Sequence, residues 1–262
     1  MIQGVLTATL LIGCVGLLIG LFLGLAGIGF FVETDKREEE VLNALPGNNC
    51  GGCGFAGCAG LAAAIVKGEA PVNACPVGGA TVAENVASIM GVEAGNSEKM
   101  VAYVMCNGDC DKAHVDYEYI GEGNCGMLSF VPNGGPKSCN HGCLGFGECV
   151  KACMFGAIQL VNGVAVVNKE LCTACGKCVA ACPKNIIELL PYKSEVHVTC
   201  SSTEKGPIAK KACEVACIGC GICQKNCPSE AISVNNFLAK IDYSKCTNCG
   251  ICREKCPTKA IN

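Results

Sequence analysis

The stretches "CIGCGICQKNCP" (Cys217–Pro228) and "CTNCGICREKCP" (Cys246–Pro257) decide the fold of the carboxy-terminal part of this chain. Each has the spacing Cys-x2-Cys-x2-Cys-x3-Cys-Pro, in which one loop brings three thiols to a [4Fe–4S] cluster. The fourth cysteine of each run ligates the cluster of the other run. The predicted ligand sets are therefore Cys217/Cys220/Cys223/Cys256 and Cys227/Cys246/Cys249/Cys252.

Cysteine is the outlier of the composition, with 26 cysteines in 262 residues. Disulfide scaffolds are short and secreted with scattered cysteines, whereas tight Cys-x2-Cys runs are typical of metal capture. A net charge of −3 gives no electrostatic footprint for nucleic acid. The composition thus indicates a metal protein whose small modules depend on bound iron for folding energy.

An internal repeat organises the second half of the chain. A shift of 74 residues superimposes Cys139 on Cys213 and Cys172 on Cys246, which indicates a tandem duplication of one two-cluster unit of bacterial ferredoxin type. The first copy has one regular run, Cys172-x2-Cys175-x2-Cys178-x3-Cys182-Pro183. One predicted ligand set of this copy is Cys153/Cys172/Cys175/Cys178.

The other cluster of the first copy lacks a regular ligand. Phe146 stands in the slot that Cys220 fills in the second copy, which leaves Cys143, Cys149 and Cys182. Cys139 precedes Cys143 by four residues, so we predict that it supplies the fourth thiol. The alternative is a three-cysteine [3Fe–4S] site with Cys139 idle. The predicted set is Cys139/Cys143/Cys149/Cys182, with Phe146 packed beside the cluster.

A further cluster module lies nearer the amino terminus. Its spacing is Cys50-x2-Cys53-x4-Cys58-x16-Cys75, and the glycines among the first three cysteines allow a loop to wrap a cuboidal cluster. Tetrahedral zinc is the alternative, although zinc sites usually pair two Cys-x2-Cys units. We predict a [4Fe–4S] cluster held by Cys50/Cys53/Cys58/Cys75, followed by a helix from Ala59 to Lys67.

Five further cysteines have no place in these sets. Cys125 and Cys200 precede Cys139 and Cys213 by similar distances and are near-equivalents in the repeat. A sixth cluster on four of the five is one interpretation, and free or structural thiols are the other. The candidate ligands of the sixth cluster are Cys106, Cys110, Cys125 and Cys200, and the remaining cysteine is Cys213. The sequence thus predicts at least five [4Fe–4S] clusters and leaves the sixth open.

The amino-terminal residues Met1–Val32 carry no charge, and this run exceeds the roughly 20 apolar residues that cross a bilayer as a helix. A secretory signal would have a basic start and a shorter apolar core. Lys36 and Arg37 follow the run, which places the iron–sulfur modules on the cytoplasmic side. The prediction is a single-pass anchor in the plasma membrane. Glycines four residues apart present a face for a partner helix, namely Gly16, Gly20 and Gly24.

The motifs of other redox and hydrolytic proteins are missing from the sequence. No GxGxxG opens a βαβ unit, no P-loop is present, and no Ser/His/Asp constellation emerges. The chain is therefore predicted to bind no nucleotide and no nucleic acid, and to have no catalytic residue of its own. Its predicted chemistry is one-electron transfer through a relay of clusters.

The motifs together resemble a known family. An apolar anchor, then "CGGCGFAGCAGLAAAI" with Cys75-Pro76, then "GGPKSCNHGCLGFGECVKAC" are similar to the iron–sulfur B subunit of the Rnf ion-translocating ferredoxin oxidoreductase complex. The resemblance implies an electron-transfer subunit of a translocase. It would accept electrons from reduced ferredoxin and relay them to integral membrane subunits that export Na⁺ or H⁺. It also carries over the twelve cluster ligands in Cys50–Cys75 and Cys139–Cys182.

These observations predict an α+β chain of a transmembrane helix, a small [4Fe–4S] module and two tandem ferredoxin-like domains. The alternative function is a membrane-tethered polyferredoxin that serves a soluble redox enzyme without ion coupling. The expected segments are an anchor at 1–32, a cluster domain at 33–92, a connecting region at 93–133, two-cluster domains at 134–192 and 213–262, and a linker at 193–212.

Overall fold

The computed structural model describes residues 2–29, 35–95 and 98–262, and in the first helix it describes the side chains of residues 3 and 10–26. Helix α1 spans Ile2–Gly29, and described side chains such as Leu17 and Phe22 are 70% and 71% exposed. The residues described in full contain no helix that is long and apolar enough to cross a membrane. The predicted anchor also includes residues 1 and 30–32, which lie outside the described residues.

Three helices build the module that follows. They are α2 (Lys36–Ala44), α3 (Cys58–Val66) and α4 (Gly79–Met90). The Asp35 carboxylate caps α2 by accepting the N–H of Arg37, and α4 ends where Gly91 adopts a left-handed conformation. Their shared core is made of fully buried aliphatic side chains, including Val41, Leu61, Ile65 and Val86. The predicted helix from Ala59 to Lys67 corresponds to α3 and is confirmed.

The remaining chain forms two units of the same design. The first contains β1 (Met100–Val104), α5 (Glu148–Ala152), β2 (Ile158–Val161), β3 (Val164–Val167), α6 (Lys177–Ala181) and β4 (Ile187–Pro191). The second contains α7 (Gly206–Ala212), α8 (Ile222–Lys225), β5 (Ile232–Asn235), β6 (Leu238–Ile241) and α9 (Ile251–Lys255). The described sheets are antiparallel pairs, β1 with β4, β2 with β3, and β5 with β6. Each unit has its own core, into which cysteines and short aliphatic side chains pack together.

The structure reproduces the repeat of 74 residues. Ile158 pairs with Val167 in the first hairpin, and Ile232 pairs with Ile241 in the second. Gly176 and Gly250 precede α6 and α9 with the same left-handed φ of 75°. Equivalent cysteines are thus delivered by equivalent turns and helix starts.

Strand register extends the equivalence to segments before each unit. The N–H of Met105 donates to the Ile186 carbonyl at 2.7 Å, and the N–H of Thr199 donates to the Ala260 carbonyl at 2.9 Å. Ile186 and Ala260 are 74 residues apart, so the residue after each donor is also equivalent. Cys200 therefore corresponds to Cys106 and not to Cys125, which corrects the assignment made from sequence spacing.

These equivalent segments also meet each other. The Asn107 N–H donates to the Thr199 carbonyl at 3.1 Å, and the Ser201 hydroxyl donates to the Met105 carbonyl at 2.9 Å. The rings of Tyr103 and His197 stack with centroids 3.6 Å apart. The two units thus face each other across an approximate two-fold axis.

The histidine in this interface predicts how stability depends on pH. His197 is 2% exposed, its Nε2 lies 3.1 Å from the Ser194 carbonyl, and its Nδ1 lies 3.2 Å from the Tyr243 hydroxyl. Burial lowers the pKa of His197 to about 4, below its value of about 6.5 in an unfolded chain. Between these values the unfolded chain binds more protons, so the free energy of unfolding falls as pH falls.

We expect the histidine to cost the folded state about 2 kcal/mol at pH 5 relative to neutral pH. Melting temperatures of the wild type and of His197→Gln, measured anaerobically from pH 7.5 to 5, check this. Acid lability of the clusters affects both proteins, so only the difference in slope matters. The wild type should lose stability more steeply, and equal slopes would contradict the assignment.

Candidate iron–sulfur sites

All 26 cysteines have free thiols, so each is available as a ligand. In the described part of the chain, no group of three or more His, Cys, Asp or Glu side chains is placed to hold a metal ion. A cuboidal cluster has a different requirement from a single ion, because each thiolate binds a separate iron atom. The relevant observations are therefore which thiols face a common space and what surrounds them.

The amino-terminal set is brought together by α3 and the loops around it. Burial raises the pKa of the Cys75 thiol, and the negative charges of Cys53 and Cys58 raise it further. Cys58 begins α3, and its N–H donates to the Asn49 side chain at 2.8 Å. The positive end of this helix favours a thiolate at its first turn. The arrangement fits a cluster, with Cys50 on the same glycine-rich loop as Cys53.

The second two-cluster unit groups the thiols of one predicted set around a common cavity. One cavity is lined by the four cysteines of the first set, Cys217, Cys220, Cys223 and Cys256. Burial raises the pKa of Cys223 to about 11, and the charges of the other three thiols raise it as well. Cys252 is buried and feels the charges of Cys246 and Cys249. Cys227 packs against the same core and accepts the N–H of Ala231 at 3.4 Å.

The regular site of the first unit has the same construction. A cavity is lined by its four predicted cysteines, Cys153, Cys172, Cys175 and Cys178. The Cys153 sulfur accepts the N–H of Ala157 at 3.3 Å, in the position where Cys227 accepts that of Ala231. Donors of this kind stabilise the negative charge of a thiolate-bound cluster. The donor set, the enclosure and the hydrogen bonds all fit [4Fe–4S] ligation.

The cavity at the irregular site of the first unit is lined by Cys125, whereas the sequence predicts Cys139 as its fourth thiol. The other cysteines that line this cavity are Cys143, Cys149 and Cys182. Burial raises the pKa of Cys149 to about 12, and the charges of Cys143, Cys182 and Cys125 add to it. Of the predicted grouping Cys139/Cys143/Cys149/Cys182, the last three line this cavity and Cys139 does not.

Phe146 explains how Cys125 reaches this site. The Phe146 ring meets the Tyr119 ring edge to face, with centroids 5.9 Å apart. A Cβ built on Gly123 would lie 3.1 Å from this ring, so the chain passes close to it just before Cys125. Where Cys220 supplies a thiol in the second copy, Phe146 instead supplies a docking surface for the loop that carries one.

Cys139 is directed elsewhere by its own strand. The Asp116 N–H donates to the Pro136 carbonyl at 2.8 Å, and the Ser138 N–H donates to the His114 carbonyl at 2.9 Å. This pairing turns Cys139 toward Cys106, Cys200 and Cys213, whose thiols interact with its charge. The four candidate ligands that the sequence offers for a sixth cluster are thus not grouped in one place. Cys106 and Cys200 both interact with the charge of Cys139, Cys125 lines the irregular cavity, and Cys110 is exposed.

Comparisons with known proteins agree with an iron–sulfur assignment. A family model described as a putative Fe-S cluster matches residues 45–77. A 4Fe-4S binding domain matches residues 165–188, and a 4Fe-4S dicluster domain matches residues 216–261. The 4Fe–4S domains therefore lie in both copies of the repeat.

Several curated proteins are similar over most of the chain. The B subunit of the Na(+)-translocating ferredoxin:NAD(+) oxidoreductase complex of Acetobacterium woodii is 48% identical over 94% of this chain and 74% of its own length. The B subunit of the ion-translocating oxidoreductase complex of Methanosarcina acetivorans is 45% identical over 88% and 87%. The B subunit of the proton-translocating ferredoxin:NAD(+) oxidoreductase complex of Clostridium ljungdahlii is 45% identical over 88% and 81%.

The irregular site gives a direct test of ligation. We expect Cys125→Ser to lose about one to four irons per chain, because one thiolate of a cluster is removed. Cys110→Ser is the matched control, since Cys110 is exposed and lies outside the cavity. Iron and acid-labile sulfide on anaerobically purified protein measure the effect. Full iron content in Cys125→Ser would show that Cys125 is not a ligand.

Proposed function

Because the chain belongs to the family of B subunits of ion-translocating, Rnf-type oxidoreductase complexes, we propose that it accepts electrons from reduced ferredoxin and relays them to membrane partners of such a complex. The observation that carries this proposal is the series of thiol-lined sites that runs from the amino-terminal module through both repeat units. The chain is then an electron-transfer subunit, and the oxidoreductase activity belongs to the complex.

Five [4Fe–4S] sites form the proposed relay. Clusters of this type carry single electrons when bound. The proposed ligand sets are Cys50/Cys53/Cys58/Cys75, Cys153/Cys172/Cys175/Cys178, Cys125/Cys143/Cys149/Cys182, Cys217/Cys220/Cys223/Cys256 and Cys227/Cys246/Cys249/Cys252. The protein supplies the thiolates, buries them away from water, and aims backbone N–H groups at their sulfurs, which together set reduction potentials.

The amino-terminal site adjoins the first repeat unit at a close backbone contact. A Cβ on Gly52 would lie 2.7 Å from the Cys175 carbonyl oxygen and 3.0 Å from the Cys175 Cα. Only glycine allows this approach without a shift of one loop. Gly52 lies between Cys50 and Cys53, so the contact joins the ligand loops of two proposed sites. It supports electron passage from the amino-terminal module into the ferredoxin-like units.

A membrane anchor in the plasma membrane is part of the proposal. The uncharged run Met1–Val32 and the exposed apolar side chains of α1 support it. A Cβ on Gly16, Gly20 or Gly24 would meet nothing within 4 Å, so this face is open to a partner helix. Lys36 and Arg37 follow the anchor and support a cytoplasmic position for the cluster modules.

The proposed coupling ion of the complex is Na⁺ or H⁺. The relative from Acetobacterium woodii is named for sodium translocation, and the one from Clostridium ljungdahlii for proton translocation. Both names include ferredoxin, which supports ferredoxin as the donor to this chain. The second candidate function, a tethered polyferredoxin serving a soluble enzyme, would use the same series of cluster sites without ion coupling.

Removing the subunit tests its role as the acceptor of electrons from ferredoxin. A purified complex that lacks this subunit should lose nearly all oxidation of reduced ferredoxin, because the subunit is the proposed point of electron uptake.

Replacing Gly16, Gly20 and Gly24 together with leucine should disrupt assembly and abolish ion uptake by vesicles. Ferredoxin oxidation at the normal rate without the subunit would refute the proposal, and normal assembly of the leucine variant would favour the tethered carrier.

A substitution at Gly52 tests the contact between the two ligand loops. Gly52→Ala should slow ferredoxin-dependent electron transfer several-fold at unchanged iron content, because the new methyl group pushes the two ligand loops apart. Gly60→Ala is the control, since a Cβ there would lie at an ordinary 3.8 Å from its nearest neighbour. Stopped-flow absorbance of cluster reduction gives the rates. Equal rates in Gly52→Ala and the wild type would remove this contact from the electron route.

A further inference from the structure

Four cysteines outside the five proposed sites gather between the two repeat units. Cys106 and Cys139 come from the first unit, and Cys200 and Cys213 are their equivalents in the second. The group therefore consists of two equivalent pairs of thiols, one pair from each repeat unit. The two pairs belong to the same interface as the tilted rings of Tyr103 and His197.

Two small residues leave room for these sulfurs to approach one another. A Cβ on Gly108 would lie 3.1 Å from the Cys213 sulfur and 3.8 Å from the Cys106 sulfur. A Cβ on Gly142 would lie 3.4 Å from the Cys106 sulfur and 3.5 Å from the Cys139 sulfur. Ala216, the equivalent of Gly142, is buried in the core that also contains Cys213 and contacts Cys200. The Cys106 sulfur thus lies close to the sulfurs of both Cys139 and Cys213.

One backbone segment, residues 112–116, holds both Cys139 and Cys213 in position. The His114 N–H donates to the Ala212 carbonyl at 2.9 Å, and the His114 carbonyl accepts the Ser138 N–H at 2.9 Å. Residues 112–116 therefore lie between the segments that lead into Cys139 and Cys213. These two cysteines are held in place from different units by the same piece of backbone.

Hydrogen bonds tie the group to a neighbouring site on each side. The Cys143 N–H donates to the Cys106 sulfur at 3.3 Å, and the Cys217 N–H donates to the Cys200 sulfur at 3.3 Å. Cys143 and Cys217 are equivalent residues, and each is a proposed ligand of the cluster next to the group. The four thiols therefore stand directly between one cluster site of each unit.

A buried positive charge faces the group. Lys137 is 6% exposed, and its ammonium donates to the carbonyls of Gly108 and Gly163 at 2.9 and 3.2 Å. Among the described ion pairs, none includes this lysine. Its charge interacts with the thiols of Cys106 and Cys213. Burying an ammonium without an anionic partner is costly, and a thiolate-ligated cluster at this place would supply one.

We propose that Cys106, Cys139, Cys200 and Cys213 hold a sixth [4Fe–4S] cluster, which joins the relays of the two repeat units. The role in the relay rests on the proposed function, whereas the binding of iron does not. The set differs from Cys106, Cys110, Cys125 and Cys200, the combination that sequence spacing suggests. Two equivalent cysteines from each unit give the site its approximate symmetry.

Metal stoichiometry of the full-length wild type is the first test. Six cubane clusters require about 24 irons and about 24 acid-labile sulfides per chain, and five require about 20 of each. About 24 supports the proposal. About 20 irons overturns it, whether the four thiols are then free, joined as disulfides, or occupied by one zinc ion.

Single substitutions then locate the sixth cluster. Cys106→Ser and Cys213→Ser should each lose about one to four irons, although the two residues come from different units. Cys110→Ser is again the control and should keep the wild-type count. Full iron content in Cys106→Ser or Cys213→Ser overturns the proposal.

Circular dichroism shows whether the variants fold. If they do not, the iron content of the wild type alone decides between five and six clusters. Neither iron measurement depends on ferredoxin oxidation. A chain with about 24 irons that does not accept electrons from ferredoxin would refute the proposed function and keep the sixth cluster.

Discussion

The bond between a thiolate and iron is the interaction on which the rest of this structure depends. The described strands of the two repeat units are four or five residues long, and the cores beneath them contain cysteines beside short aliphatic side chains. Such cores bury little apolar surface. Burial also raises the pKa of several thiols, to about 12 for Cys149 and Cys200, so water-free enclosure alone opposes their ionisation. Bound iron would offset that cost, so metal binding and folding would be coupled in this protein.

The duplication acquires a function through the interface between its copies. The two units do not simply follow each other along the chain, because equivalent segments ending at Cys106 and Cys200 cross and exchange hydrogen bonds. The interface brings four equivalent thiols and the buried Lys137 to one place. The contact that packs the units together is then also the proposed route by which electrons pass between them.

The regular parts of the site could be predicted from sequence, because a local loop determines them. The spacing of Cys217 to Cys227 and of Cys246 to Cys256 is short enough that one turn delivers its thiols, and the cavity between them has the predicted lining. The irregular parts could not be predicted in this way. Cys125 reaches the irregular cavity because its loop packs on Phe146. Cys139 lies outside that cavity because residues 114–116 pair with the segment that precedes it. The spacing of cysteines along the chain reveals neither of these contacts. Spacing pairs Cys200 with Cys125 as repeat equivalents, whereas strand register pairs Cys200 with Cys106.

A density map of the full chain, purified anaerobically with its clusters intact, tests the central claim most directly. Electron cryomicroscopy of the assembled complex, or anomalous diffraction at the iron edge, would locate every iron site. We expect six cubane densities, one of them between the two repeat units and bonded to Cys106, Cys139, Cys200 and Cys213. Five densities with none between the units would contradict the sixth cluster and the route through it.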